Sequence, residues 1–176
     1  MNQITDRLSP KDMLKLQKLQ KIISYAEKDE QELVVLSCDT KALSEDLVLY
    51  LKDILVDYVE IKDIKDGLFK SIIFHKELYE AKYIIINLYD IAKYKSIMEE
   101  FQFKRDYIPQ YRLKIVLILN QIQVETFRKK AYDFFSFSNF YGFFKDNYFK
   151  YINEQDISVL DKLIEKYKLI KNTPLR

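Results

Sequence analysis

Glycine is nearly missing from this chain: Gly67 and Gly142 are the only two in 176 residues. A phosphate loop of the form G-x-x-x-x-G-K-[ST] needs glycines so that its backbone amides can wrap phosphate closely. A dinucleotide fingerprint needs three glycines at one turn. Neither can be built here in standard form. Cysteine occurs once, as Cys38, which excludes an internal disulfide and fits a reducing compartment. Histidine also occurs once, as His75. Zinc sites draw several ligands from these two residue types, so a metal site is not expected. A Cys38–His75 nucleophilic pair is formally available. However, Cys38 closes an apolar run, where cysteine behaves as a small hydrophobe. Tryptophan is absent, and proline contributes three residues.

Charge of one sign is lacking too. Twenty-nine basic and 27 acidic residues leave a net +2, which provides no broad field for gathering nucleic acid. Long apolar runs are missing: "IVLIL" (115–119) is far shorter than the ~20 residues a membrane helix needs. The opening "MNQITDRLSPKDML" has no apolar core of signal-peptide length. What is present is 48% hydrophobic and 32% charged residues, enough for one cored domain over 1–176. The expectation is a cytoplasmic protein with no cofactor, no membrane partner and no nucleic-acid partner.

Residues 1–30 contain a helix signal. Ser9 suits the N-cap, Pro10 the first position and Asp12 the first turn, and Met13, Leu16, Leu19, Ile22 and Ile23 recur at helical spacing. "ELVVLSCD" (32–39), "KYIIINLYD" (82–90) and "RLKIVLILN" (112–120) read as strands buried on both faces. "YVEIKDI" (58–64) alternates and suits a sheet edge. Helices are expected over 44–55 with Ser44 as cap, over 68–81, over 93–108 ending before Pro109, over 123–131 and over 154–172. Strands alternating with helices demand a three-layer α/β/α fold with a mostly parallel sheet of four to five strands.

Ligands of open α/β sheets sit outside the carboxyl ends of the strands. Ser37 to Thr40, Asn87 to Asp90, and Asn120 with Gln121 fall there, and Asp39, Asn87 and Asp90 among them are the ligand candidates. Polar residues at strand ends also serve simply as turn formers. The carboxylates are scattered, so no catalytic acid–base pair stands out. Eight of the fourteen residues in "AYDFFSFSNFYGFF" (131–144) are Phe or Tyr. Phe140, Phe144 and Tyr148 recur every four residues, as on one face of a helix, which favours core over a stacking platform.

Two segments carry a family resemblance. "FQFKRDYI" (101–108), an apolar strand, and then "AYDFFSFS" follow the order and spacing of a pattern in bacterial STAND-type P-loop NTPases. Arg105 and Asp106 match its RD pair. Ala131, Asp133, Phe134, Phe135, Ser136 and Phe137 match its A-x-D-F-W-S-W segment, with phenylalanine for both tryptophans. The resemblance spans residues 32–150 and implies a P-loop NTPase-like or Rossmann-like core. The phosphate loop is missing, and Asn87 stands where an acidic Walker B residue is expected. The implied function is that of an inactive adaptor or regulatory module in a bacterial defence or signalling system. Such a module binds a protein partner and does not hydrolyse ATP. An immunity-type inhibitor belongs to the same binding class. A small enzyme or ligand-binding domain using Asp39, Asn87 and Asp90 is the alternative. The two terminal helices have broad apolar faces, which cover the sheet or support a homo-oligomer.

Overall fold

The structure is a computed structural model that describes residues 4–26, 30–64, 66–79, 82–91, 94–147 and 159–166. Its centre is a sheet of five parallel strands in the order β2-β3-β4-β1-β5. These are β1 (Glu32–Cys38), β2 (Tyr58–Glu60), β3 (Tyr83–Asn87), β4 (Lys114–Asn120) and β5 (Phe140–Phe144). The three apolar runs became the three central strands, because a strand covered on both faces must be apolar throughout. All seven residues of β1 are buried. β2 lies at one edge, as its alternating pattern indicated.

Eight helices are described around the sheet. α1 (Ile4–Arg7), α2 (Pro10–Tyr25) and α3 (Lys41–Ile54) pack on one face. α4 (Leu68–Tyr79), α5 (Tyr94–Lys104), α6 (Tyr107–Gln110), α7 (Gln121–Lys130) and α8 (Tyr132–Ser136) pack on the other. The direction of the crossovers explains this division. From β1 to β2 the chain runs one way along the sheet, and from β2 through β4 to β5 it runs back. Right-handed connections must then lie on opposite faces. Alternate residues of each strand point to alternate layers. Leu33, Val35, Ile84, Ile86, Ile115 and Leu117 join α4, α5 and α7, whereas Val34, Leu36, Ile85, Val116 and Ile118 join α2 and α3.

Several boundaries differ from expectation. α3 begins at Lys41, capped by Thr40, whose hydroxyl accepts the Leu43 amide at 3.1 Å. Ser44 is inside the helix, and its hydroxyl donates back to the Lys41 carbonyl at 2.7 Å. The expected 93–108 helix breaks at Arg105 and Asp106, and Pro109 falls within the short α6. Proline is tolerated in a first turn, where its missing N–H has no partner to lose. The largest correction concerns the aromatic stretch: residues 140–144 are a strand, not a helix. A spacing of four fits both, because i, i+2 and i+4 share one face of a strand. Phe140 and Phe144 do share that face, with Gly142 between them, and Tyr148 lies outside the described residues. The expected helix over 154–172 is described only at 159–166, which is helical.

Candidate functional site: the carboxyl edge of the sheet

β1 and β4 are neighbours, yet α3 leaves β1 for one face and α7 leaves β4 for the other. This is the topological switch point, where open α/β sheets hold their ligands. Asp39 and Thr40 follow β1 there, Asn87 ends β3 with Leu88 to Asp90 after it, and Asn120 ends β4. All three ligand candidates therefore reach one edge of the sheet.

The chain itself spans that edge. After β3 it turns so that the Tyr89 hydroxyl donates to the Asp39 carbonyl at 2.8 Å. The Tyr89 carbonyl accepts from Asn120 Nδ2 at 3.0 Å, and the Leu88 carbonyl accepts from Gln123 Nε2 at 2.5 Å. The Leu88 amide donates to the Ile118 carbonyl at 2.9 Å. Asn87 holds the turn from below: its side-chain oxygen accepts the Tyr89 amide, and its Nδ2 donates to Ser44 Oγ, both at 3.1 Å. Asn120 and Gln123 also form a reciprocal capping box at the start of α7. Tyr89 thus bridges β3, β4 and β1 across the switch point.

On the β1 side the turn is equally closed. Two residues, Asp39 and Thr40, connect β1 to α3. A phosphate loop is longer, because it must encircle its ligand. The N-terminus of a helix attracts anions, and here the chain's own Asp146 stands beside the α3 cap. Its buried carboxylate accepts the Thr40 hydroxyl at 2.6 Å and Arg7 Nη1 at 2.9 Å. The Arg7 guanidinium also meets Asp46 on α3 at 2.5 Å, and the Arg7 carbonyl accepts the Asn147 amide at 2.8 Å. The Asp146 amide donates to Asp39 Oδ1 at 2.8 Å. Asp12 takes Lys15 Nζ at 2.6 Å and the Lys145 amide at 3.2 Å. Residues near both ends of the described core thereby lock the loop after β1.

Burial, with the Asp39 charge adding to it, pushes the Cys38 thiol up to about 12. The thiol is protonated at neutral pH, and the formal Cys38–His75 pair has no thiolate to use. His75 lies on α4, on the other face of the sheet, with Nδ1 2.7 Å from the Ser71 carbonyl. Burial also raises the Tyr89 phenol, with Cys38, Asp39 and Asp90 contributing. Among the described residues no group of three or more His, Cys, Asp or Glu side chains is arranged to hold a metal.

Beside the closed switch point lies an open groove of about 610 Å³ between α3 and the ends of β2 and β3. Val48, Leu49, Ile61 and Ile91 line its apolar part. Its charges are largely paired: Lys41 with Asp90 at 2.8 Å, and Lys52 with Glu60 at 2.5 Å. The hydrogen bond that Lys41 donates to Asp90, followed by the Asp90 charge, raises Lys41. Asn87 and Asp90 border this groove, while Asp39 is not among its lining residues.

The residues that carry the resemblance lie on the far side of the sheet. Arg105 Nη1 contacts Asp133 at 2.5 Å and its guanidinium lies 5.8 Å from the Phe137 ring centre. Asp106 is exposed, 3.8 Å from Arg105 Nε. Ala131 is buried, Phe135 is partly buried beside it, and Phe134 falls within α8. Ser136 donates to the Asp133 carbonyl at 2.5 Å. Arg128 stands over both Phe135 and Tyr141, at 5.5 and 5.2 Å. The aromatic stretch is fixed by arginines and by packing. Sequence reasoning missed Arg7 and Asp146, and it placed Tyr89 at the strand ends without giving it a role. Nothing local in the sequence points the Tyr89 hydroxyl at β1, and nothing local links Arg7 to a carboxylate 139 positions away.

No protein-family model matches the chain, and no curated protein matches it significantly. Among the described residues no helix is long and apolar enough to cross a membrane.

Proposed function

We propose that this domain is a non-catalytic protein-interaction or regulatory adaptor module, a degenerate relative of STAND-type NTPases working in a bacterial defence or signalling system. One observation carries the reading: the switch point is filled by the chain's own Tyr89, Asn120, Gln123 and Asp146. A nucleotide would have to displace a connected set of hydrogen bonds and a buried carboxylate. The meeting of Arg105 with Asp133 supports the family resemblance, since both belong to its motif. Titration calorimetry with ATP and magnesium is the test. No binding is expected up to about 1 mM nucleotide. Tight binding accompanied by turnover would refute the proposal.

A second reading, a small enzyme or ligand-binding domain, is favoured by the 610 Å³ groove, whose size falls in the range of small-molecule sites. Its polar groups are mostly engaged with one another, which makes it the weaker reading. A metabolite screen by thermal shift on the wild type and on Lys41→Ala/Asp90→Ala tests it. A ligand that stabilises the wild type but not the variant would establish the groove as a site.

A further inference from the structure

We propose that the chain pairs with a second copy of itself, the helical segment 159–166 of each copy docking on α2 of the other. This contact does not involve the switch point and forms whether or not that site is closed.

The outward side of α2 is one of the two surfaces. Leu16, Leu19 and Ile23 point into the core. On the opposite side Lys11, Leu14, Lys18, Lys21 and Tyr25 follow one another at spacings of three and four, and all are exposed. Leu14 is 64% and Tyr25 83% exposed. The only acid on α2, Asp12, is buried and held by Lys15. Among the described residues no ion pair engages Lys11, Lys18 or Lys21. At its carboxyl end this stripe borders a groove of about 350 Å³, lined by Lys18, Lys21, Ile22, Tyr25, Glu30 and Asn139 among others.

The segment 159–166 is the other surface. All eight residues are exposed, and Val159, Leu160, Leu163 and Ile164 form a continuous aliphatic side, each 48% to 57% exposed. Asp161 and Glu165, one turn apart, border the Leu160–Ile164 edge, while Lys162 and Lys166 border the Val159–Leu163 edge. An apolar side of this kind, rimmed by charge, marks a docking surface.

Charge complementarity selects the occupant. The acidic edge matches the unpaired lysines of α2, and exposed Glu30 beside the groove suits the basic edge. The aliphatic side chains then cover Leu14 and Tyr25 and fill the groove by Ile22. Both surfaces belong to one polypeptide, so two copies related by a two-fold axis make each contact twice and satisfy both surfaces at once. A coiled-coil-like pairing of short helices gains its specificity from such flanking charges.

Sedimentation velocity on the full chain tests the proposal with two charge reversals at exposed positions, which leave the core untouched. Wild type is expected to sediment as a dimer, weakened at about 1 M salt where screening is strong. Lys18→Glu/Lys21→Glu and Asp161→Lys/Glu165→Lys should each raise the dissociation constant at least about tenfold. An equal mixture of the two variants should restore the dimer, because each α2 then faces a segment of opposite charge. A monomeric wild type, a dimer that survives either reversal, or a mixture that stays monomeric would each overturn it.

Discussion

Replacing Asp146 with alanine would remove the point at which both ends of the core meet the switch-point loop. The Asp146 side chain is fully buried and accepts from Arg7 at 2.9 Å and from Thr40 at 2.6 Å. Hydrogen bonds to charged groups contribute about 1.5 to 3 kcal/mol each, so the two together are worth about 3 to 6 kcal/mol. Arg7 keeps Asp46 at 2.5 Å, so its guanidinium is not stranded without a counter-charge. That places the expected loss at the lower end, about 3 kcal/mol. For a chain of 176 residues this lowers Tm by roughly 6 to 12 °C. Asp146→Asn, which keeps the volume and one acceptor, should lose about half as much. Urea denaturation with an unchanged m value is the assay. A loss below about 1 kcal/mol would refute the structural role given to this carboxylate. A cycle with Arg7→Ala should show a coupling of about 1 to 3 kcal/mol, and strict additivity would mean that the pair does not form.

Burial, the leading cause, raises the Glu32 carboxyl from its ordinary 4.5, although the Tyr83 hydroxyl 2.7 Å away and Lys114 oppose the shift. The stability associated with the neutral form is present below pH 4.5 and is lost as pH rises through the folded value. Glu32→Gln should therefore gain on wild type as pH rises above 4.5, and a difference in denaturation midpoint that stays constant with pH would contradict this. At Gly142 a Cβ would lie 2.9 Å from the Phe140 ring and 3.1 Å from that of Phe144. Both rings are buried, so Gly142→Ala should cost about 1 to 3 kcal/mol by overpacking; a neutral substitution in chemical denaturation would show that the rings can yield. Cys38 should resist thiol reagents at pH 8 in the folded protein and react promptly in urea, and fast native labelling would contradict its buried, protonated state.

The fold was legible where burial imposes composition. "ELVVLSC", "YIIIN" and "KIVLILN" had to be covered on both sides, and the alternation in "YVE" belonged at an edge. Ser9 and Pro10 marked the start of α2 because capping is a local matter. β5 was not legible, since Phe140 and Phe144 are spaced equally well for a helix and a strand. The cap at Thr40 lost to Ser44 in the sequence because both are good N-cap residues, and only the path out of β1 decides between them. The candidate edge was found by topology, through Asp39, Asn87 and Asp90. Its state was not: whether Tyr89 faces water or bridges three strands depends on where β3 lands relative to β1. That is a long-range fact, as is the meeting of Arg7, Asp46 and Asp146.

The strand order also bears on the chain as it is made. β1 is the most buried strand, yet its two neighbours, β4 and β5, are the last two strands to be synthesised among the described residues. Lys114, the partner of Glu32, emerges roughly 80 residues later, or about 4 to 16 seconds at 5–20 residues per second. During that interval α2 and α3, which flank β1 in sequence, can shelter one of its faces. The face carrying Leu33 and Val35 waits for α7, which packs against β1 and is translated only after β4. A nascent chain of this topology spends its synthesis with an apolar strand half clothed, and its demand for chaperones should peak just before residue 114 leaves the ribosome.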